Sequence, residues 1–156
     1  MKNHHIPYPK IINDSFTDKI FKHFNALLSK KKEDKFVLSV SGGSDSVLLL
    51  YLFCKYFESD KKRLIIAHVN HNLRNDSEVD ENFVLMLGEE LRIKTHNIKL
   101  DPNTISKGDS TESWARKHRY DFLRTIMKET GAKWVVTGHH ANDQAETILM
   151  NIADKT

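Results

Sequence analysis

The chain is predicted to be an α/β protein with a doubly wound, mostly parallel sheet and helices on both faces. Two observations predict this class. Segments whose apolar residues recur at helical spacing alternate with short apolar runs. The runs, among them residues 36–40 and 64–69, are apolar on both faces, as expected for strands buried between two layers of helices. The length of 156 residues suits one domain, which we expect over residues 1–156.

The apolar spacing and the capping residues give the order of the elements. Asp14 or Ser15 can cap the first helix, and Gly131 can end the fourth. We expect helices at about residues 16–28, 47–57, 79–91, 110–130 and 141–153, and strands at about residues 36–40, 64–69, 95–98 and 134–137.

Three polar segments lie at the ends of strands, at residues 41–46, 68–74 and 138–143. The carboxyl ends of parallel strands share one edge of the sheet, and ligands bind there, near the point where the strand order reverses. The spacing therefore predicts a ligand site built from these three segments.

The composition limits the chemistry that the chain can do. Cys54 is the single cysteine, which excludes an intrachain disulfide, a CxxC redox pair and a thiolate cluster held within one chain. The net charge of +3 permits a polyanionic partner without requiring one. No apolar leader and no run long enough to cross a bilayer is seen, so we expect a cytoplasmic protein without membrane contact. The basic clusters at residues 30–32 and 61–63 are interpreted as solvated surface, opposite the predicted site.

A glycine loop follows the first strand and opens the second helix. Its residues are Ser41, Gly42, Gly43, Ser44, Asp45 and Ser46. Adjacent glycines let a ligand approach the backbone closely, and the start of a helix favours phosphate. The string is neither a Walker A loop nor a GxGxxG fingerprint. Asp45 suits Mg²⁺ or a cationic substrate better than bare phosphate. The alternative is a tight turn capped by Ser and Asp, and the full string in this context favours nucleotide binding.

The glycine loop resembles the pyrophosphate loop of the N-type ATP pyrophosphatases, the PP-loop superfamily. The resemblance implies a Rossmann-like fold of the adenine nucleotide alpha hydrolase type. It also implies that ATP is cleaved between its α and β phosphates, through an adenylylated intermediate.

Three further strings narrow the resemblance to the tRNA(Ile)-lysidine synthetase family over about residues 36–152. They are His68-Val69-Asn70-His71-Asn72-Leu73-Arg74, Glu112-Ser113-Trp114-Ala115-Arg116-Lys117-His118-Arg119-Tyr120 and Thr137-Gly138-His139-His140-Ala141-Asn142-Asp143-Gln144-Ala145-Glu146-Thr147. The resemblance implies ligation of L-lysine to C2 of the wobble cytidine of tRNA(Ile) with a CAU anticodon, with release of AMP and pyrophosphate. It implies ATP and Mg²⁺ as cofactors, and it leaves a homodimer open.

The resemblance also assigns the site residues. Asp45, Arg116, Asp143 and Glu146 are expected to be catalytic. The glycine loop, His68 and His139 are expected to bind the nucleotide, and Asp45 and Asp143 are expected to bind Mg²⁺.

Each assignment has a simpler alternative. Arg116 could form a surface pair with Glu112, four residues before it. Asp143 and Glu146, three apart, could stabilise the start of the predicted last helix, and in the site they could hold either Mg²⁺ or the ammonium of lysine. A zinc site at His139 and His140 is disfavoured, because neighbouring residues on a strand point to opposite faces.

The chain departs from the lysidine synthetase family in one respect, and two rival functions remain. Lysidine synthetases continue past the point that corresponds to Thr156, into sequence that completes this domain and grips tRNA, so a C-terminal region is expected to be missing here. A tRNA-modifying enzyme that inserts sulfur is one rival, disfavoured by the lone Cys54. A nucleotide-binding module without catalysis is the other, disfavoured by the charged residues Asp45, Arg116, Asp143 and Glu146.

Overall fold

The computed structural model describes residues 15–28, 33–141 and 144–150. The helices are α1 (Ser15–Leu28), α2 (Ser44–Tyr56), α3 (Ser77–Leu91) and α4 (Thr111–Thr130). The strands are β1 (Phe36–Ser39), β2 (Leu64–Asn70), β3 (Lys94–Lys99), β4 (Trp134–Ala141) and β5 (Gln144–Met150). Short 3-10 helices lie at Lys61–Arg63 and Pro102–Thr104. No helix in these ranges is long and apolar enough to span a membrane.

The five strands form one sheet in the order β3-β2-β1-β4-β5. β1 pairs in parallel with both β2 and β4, so that Leu38 lies between Ile66 and Val136. The chain runs outward from β1 to β2 and β3 and then returns to the other side of β1. The strand order therefore reverses between β1 and β4, which is where such sheets bind ligands.

The two faces of the sheet carry separate apolar clusters. Phe36 and Leu38 of β1 pack with residues of α1, α2 and α3, whereas Val37 packs with residues of α4. The separation follows from the strand itself, because successive side chains point to opposite faces. The predicted doubly wound sheet with helices on both faces is confirmed.

The capping residues set the ends of α4 as predicted. The Ser110 hydroxyl accepts a hydrogen bond of 3.0 Å from the Ser113 N–H, which satisfies one of the donors that a helix start leaves unpaired. At the other end Gly131 adopts the left-handed conformation with φ +76°, and its N–H donates to the Met127 carbonyl at 2.9 Å.

The predicted last helix, at residues 141–153, is wrong for the part that the structure describes. Gln144–Met150 forms β5, which pairs antiparallel with β4, Thr137 opposite Ile148. The outer edge of β4 offers a row of unpaired N–H and C=O groups, and β-branched Thr147 and Ile148 favour the extended chain. Pairing with this edge therefore outweighs the helical spacing of the apolar residues.

Candidate functional site

The glycine loop joins the carboxyl end of β1 to α2 and needs glycine at one position. Gly42 has φ +98°, a conformation that other residues adopt only with strain. A Cβ at Gly42 would also lie 3.1 Å from the Cβ of Asp80 in α3. The first glycine thus allows both the turn and the close approach of α3.

Serine hydroxyls hold the glycine loop in shape. The buried Ser46 hydroxyl accepts from the N–H groups of Ser41 at 3.2 Å and Gly42 at 3.3 Å, and donates to the Gly43 carbonyl at 3.0 Å. The Gly43 N–H in turn donates to the Ser41 hydroxyl at 3.2 Å. The Ser46 hydroxyl therefore fixes the shape of the glycine loop from within.

The start of α2 is open to an anion. Gly43 is the N-cap residue, and no side-chain hydrogen bond caps the helix there. The N–H groups of a first helical turn have no partner within the helix, and the positive end of the helix dipole adds to their attraction for phosphate. Asp45 stands in this first turn and is half-buried. An anionic ligand at this position would lie beside one carboxylate.

A cleft of about 430 Å³ lies next to the glycine loop. Ser41 of the loop lines it, together with residues 68–74 after β2 and with Ser77 and Asp80 of α3. The structure thus brings together two of the three polar segments that the spacing placed at this edge. Arg74 at the rim is exposed and forms ion pairs with Asp80 at 3.2 Å and Asp76 at 3.6 Å.

His68 is oriented by the backbone. Its ring is buried, and Nδ1 lies 2.7 Å from the Val40 carbonyl. Because a carbonyl only accepts, Nδ1 carries a proton and donates. Nε2 is buried without a partner among the described residues. In the neutral ring this nitrogen is an acceptor, which suits an N–H or O–H donor of a ligand in the cleft.

A carboxylate that the sequence motifs do not include supports the floor of the cleft. Glu81 of α3 accepts from the side-chain amides of Asn70 at 2.6 Å and Asn97 at 2.9 Å. Asn70 is buried, and its oxygen accepts the N–H of Asn72 at 2.8 Å, where φ is +57°. The signal available in the sequence was asparagine in two strands, where it is disfavoured unless its amide is bonded.

His71 lines the cleft, on the segment that follows β2. Burial lowers the pKa of its imidazole, and electrostatic interactions with Arg119 and then with His68 lower it further. Arg119 and Arg116 are exposed, and their guanidinium groups lie 5.5 and 5.4 Å from the ring centre of Tyr120. The Glu112–Arg116 pair considered above does not form. Arg116 remains accessible from solvent, and Arg119 brings the positive charge of α4 to the side of His71.

We predict a pH dependence of stability from His71. Its folded pKa lies below the unfolded value of 6.5, so the unfolded chain binds the proton more readily. This contribution to stability is complete above the unfolded pKa and is lost as the pH falls from there through the lowered folded pKa. His71→Gln is expected to flatten the fall in the unfolding midpoint between about pH 7.5 and 5. His23→Gln, on the exposed surface of α1, controls for the loss of one imidazole. An unchanged pH slope in H71Q would contradict the prediction.

Of the third polar segment, the structure describes residues 138–141, and these in their backbone only. β4 carries His139 to the edge where the glycine loop begins, and Glu146 of β5 is paired with His139. Asp143 lies outside the described residues. Since Glu146 stands on a strand, the helical spacing from Asp143 no longer argues that the two carboxylates converge. Their roles remain a prediction.

The described residues contain no group of three or more His, Cys, Asp and Glu side chains that could enclose a metal ion. Mg²⁺ does not need such a cage, because it is commonly held by one or two carboxylates together with substrate phosphates and water. Asp45, in the first turn of α2, fits that arrangement.

The comparison with protein families identifies this fold and loop. The PP-loop domain family matches residues 16–156, and the chain belongs to that family.

Among characterised relatives the chain is similar to tRNA(Ile)-lysidine synthases. It is 40% identical over 118 residues to the enzyme of Streptococcus thermophilus, covering 76% of this chain and 27% of that protein. It is 35% identical over 144 residues to the enzyme of Bacillus cereus, covering 90% of this chain and 30% of that protein. The chain thus spans less than a third of the length of these relatives.

Solved structures confirm the fold. The U34-tRNA thiolase NcsA of Methanococcus maripaludis, with its [4Fe-4S] cluster, aligns with a TM-score of 0.65 at 18% identity, over 88% of this chain and 51% of that one. The NH3-dependent NAD synthetase of Campylobacter jejuni aligns with a TM-score of 0.59 at 17% identity, over 83% and 56%. These identities establish a shared architecture.

Proposed function

We propose that this chain is the ATP-binding part of a lysidine synthase, acting on tRNA(Ile) with a CAU anticodon. One observation carries the proposal. The glycine loop, held by Ser46 at an uncapped helix start, adjoins a cleft lined by residues 68–74 of the motif that resembles lysidine synthetases. The similarity to two lysidine synthases supports the same function.

The proposed reaction has two steps. O2 of the wobble cytidine attacks the α phosphorus of ATP, the bond from that phosphorus to the bridging oxygen breaks, and pyrophosphate leaves. An amine of L-lysine then attacks C2 of the base. The C2–O2 bond breaks, AMP leaves with O2, and the amine loses a proton. Both steps develop negative charge on phosphate oxygens, which positive groups stabilise.

The described residues divide this work. The first turn of α2 binds phosphate, and His68 Nε2 accepts a hydrogen bond from the nucleoside. Arg116, exposed on α4, reaches the charge that develops on the transferred group. Asp45 would hold Mg²⁺, which would supply positive charge against the phosphates when bound. We propose that Asp143 and Glu146 bind a cation, which is either Mg²⁺ or the ammonium of lysine. We propose that His139 binds the nucleotide.

The cysteine chemistry disfavours a sulfur-inserting enzyme. Cys54 is completely buried in α2, and burial raises the pKa of its thiol to about 12. A thiol of this kind stays protonated at neutral pH, and only the thiolate is a good nucleophile or metal ligand. This chain therefore shares the fold of the thiolase, but Cys54 is not suited to inserting sulfur.

The test is incorporation of radiolabelled lysine into an unmodified tRNA(Ile) transcript with a CAU anticodon, in the presence of ATP and Mg²⁺. The Bacillus cereus relative serves as the positive control, and a transcript with uridine at the wobble position as the negative control. We expect lysine in the CAU transcript only, with one pyrophosphate released per lysine. Pyrophosphate release that depends on the CAU transcript but is not accompanied by lysine incorporation, while the relative is active, would overturn the lysidine assignment, because the transcript would then be bound and activated.

A further inference from the structure

A second cleft of about 440 Å³ lies at the opposite end of the sheet. It is formed where β2 and β3 begin, together with the segments before β1 and after α3 and the end of α4. We call it the basic groove. Its charged lining residues are Lys35, Lys61, Lys62, Arg92, Lys94 and Glu129.

The charge of the basic groove is one-sided. Five cations face one carboxylate, Glu129, and none of the five forms an ion pair with a described residue. Two of them are held by backbone carbonyls, Lys35 by Thr130 at 3.3 Å and Lys61 by Leu91 at 3.1 Å. An ammonium has three donors, so each keeps two for another partner.

Arg63, next to Lys62 in the chain, is a cation whose side chain is held by contacts within the protein. Its guanidinium lies 4.9 Å from the ring centre of Phe57, and Nε donates to the Asp34 carbonyl at 2.9 Å. Among the described residues, the cations of the basic groove have no such aromatic partner, and only Lys35 and Lys61 are hydrogen-bonded, each to one backbone carbonyl. Lys35, Lys62, Arg92 and Lys94 are exposed.

Arg92 occupies a position that normally belongs to glycine. It ends α3 in the left-handed conformation, with φ +58° and ψ +44°. Such C-terminal positions favour glycine because a Cβ is strained there. Strained residues of this kind cluster at binding sites, and Arg92 lies among cations that form no ion pair with a described residue.

We propose that the basic groove binds backbone phosphates of the RNA substrate, as a second contact away from the nucleotide cleft. The proposal rests on the proposed function for its RNA. An acidic protein fits less well, because specific protein interfaces have an apolar core. The apolar lining residues here, Leu64 and Ile65, are 1% and 3% exposed and offer no such core.

The first experiment measures binding of an unmodified tRNA transcript by fluorescence anisotropy, without ATP or lysine. Each phosphate contact contributes roughly a fivefold to eightfold gain in affinity at about 0.1 M salt, and about 0.7–0.9 to the salt slope. The double variant K62Q/K94Q is expected to bind roughly 25-fold to 60-fold more weakly, with a salt slope lower by about 1.4–1.8. The control K19Q/K22Q removes the same charge from exposed positions of α1 and should bind like the parent chain.

A single variant separates binding from folding. Arg92→Gly removes a cation and relieves the left-handed strain. It is expected to weaken RNA binding roughly fivefold to eightfold while the unfolding midpoint stays the same or rises by about 2–5 °C. Arg92→Lys, which keeps the charge, should restore most of the affinity.

Three outcomes would overturn the basic groove as an RNA site. They are equal losses in K62Q/K94Q and K19Q/K22Q, an unchanged salt slope, and full RNA affinity in R92G. If the basic groove binds an acidic protein instead of RNA, R92G should keep full RNA affinity. Failure of lysine incorporation with the groove variants still defective in RNA binding would remove the lysidine assignment and leave the basic groove supported.

Discussion

Gly42→Ala is expected to weaken ATP binding by at least about tenfold and to destabilise the chain by about 1–3 kcal/mol. Two costs combine at this position. An alanine would have to adopt φ +98°, and its Cβ would meet the Cβ of Asp80 at 3.1 Å. Relief of the contact would move the loop away from α3 and disturb the amides that Ser46 holds. Isothermal titration with ATP and thermal unfolding measure the two effects.

Two other glycines provide matched controls for Gly42→Ala. Gly108 has φ +94°, but a Cβ there meets nothing within 4 Å, so Gly108→Ala should lose stability without loss of ATP affinity. Gly43 has φ −73°, and its nearest neighbour would be the Ser41 hydroxyl at 3.5 Å, an ordinary contact. Gly43→Ala should therefore retain ATP binding. An ATP affinity of Gly42→Ala equal to that of Gly108→Ala would show that the contact with Asp80 does not shape the site.

Most of the fold could be predicted because its signals are local. The apolar runs of β1 and β2 are buried on both faces, so the sequence shows them directly. Ser110 begins α4 and Gly131 ends it, each through a hydrogen bond to a residue at most four positions away in the chain. β5 could not be predicted in this way, because its ladder depends on which edge of β4 is open, and that is a property of the whole sheet.

The candidate site was predictable where chemistry follows a contiguous string, as in the glycine loop. It was not predictable where partners come from distant segments. The orientation of His68 depends on the Val40 carbonyl, and Glu81 gains its role from Asn70 and Asn97. The basic groove joins cations from three separate segments of the chain, at residues 35, 61–62 and 92–94. Local spacing contains no information about such convergence.

Asp45→Asn is expected to lower the rate of ATP-dependent pyrophosphate release by at least about 100-fold, because a carboxylate that holds Mg²⁺ cannot be replaced by an amide without loss of charge. Affinity for Mg²⁺-free ATP should stay equal or rise, since the change removes a negative charge beside the polyphosphate. A residue that only stabilises the first turn of α2 would behave differently. Its loss would cost about 0.3–1 kcal/mol of stability and leave the rate unchanged.

Asp18→Asn makes the same change in the first turn of α1, away from the cleft, and gives the stability effect of a first-turn acid by itself. The comparison requires pyrophosphate release at saturating ATP and Mg²⁺, ATP affinity with and without Mg²⁺, and the unfolding midpoint. A rate in D45N within threefold of the parent chain, at equal ATP affinity, would remove Asp45 from the catalytic residues. A rate lost together with its Mg²⁺ dependence, at retained affinity for free ATP, would assign Asp45 to the metal, because only a metal ligand couples those two losses.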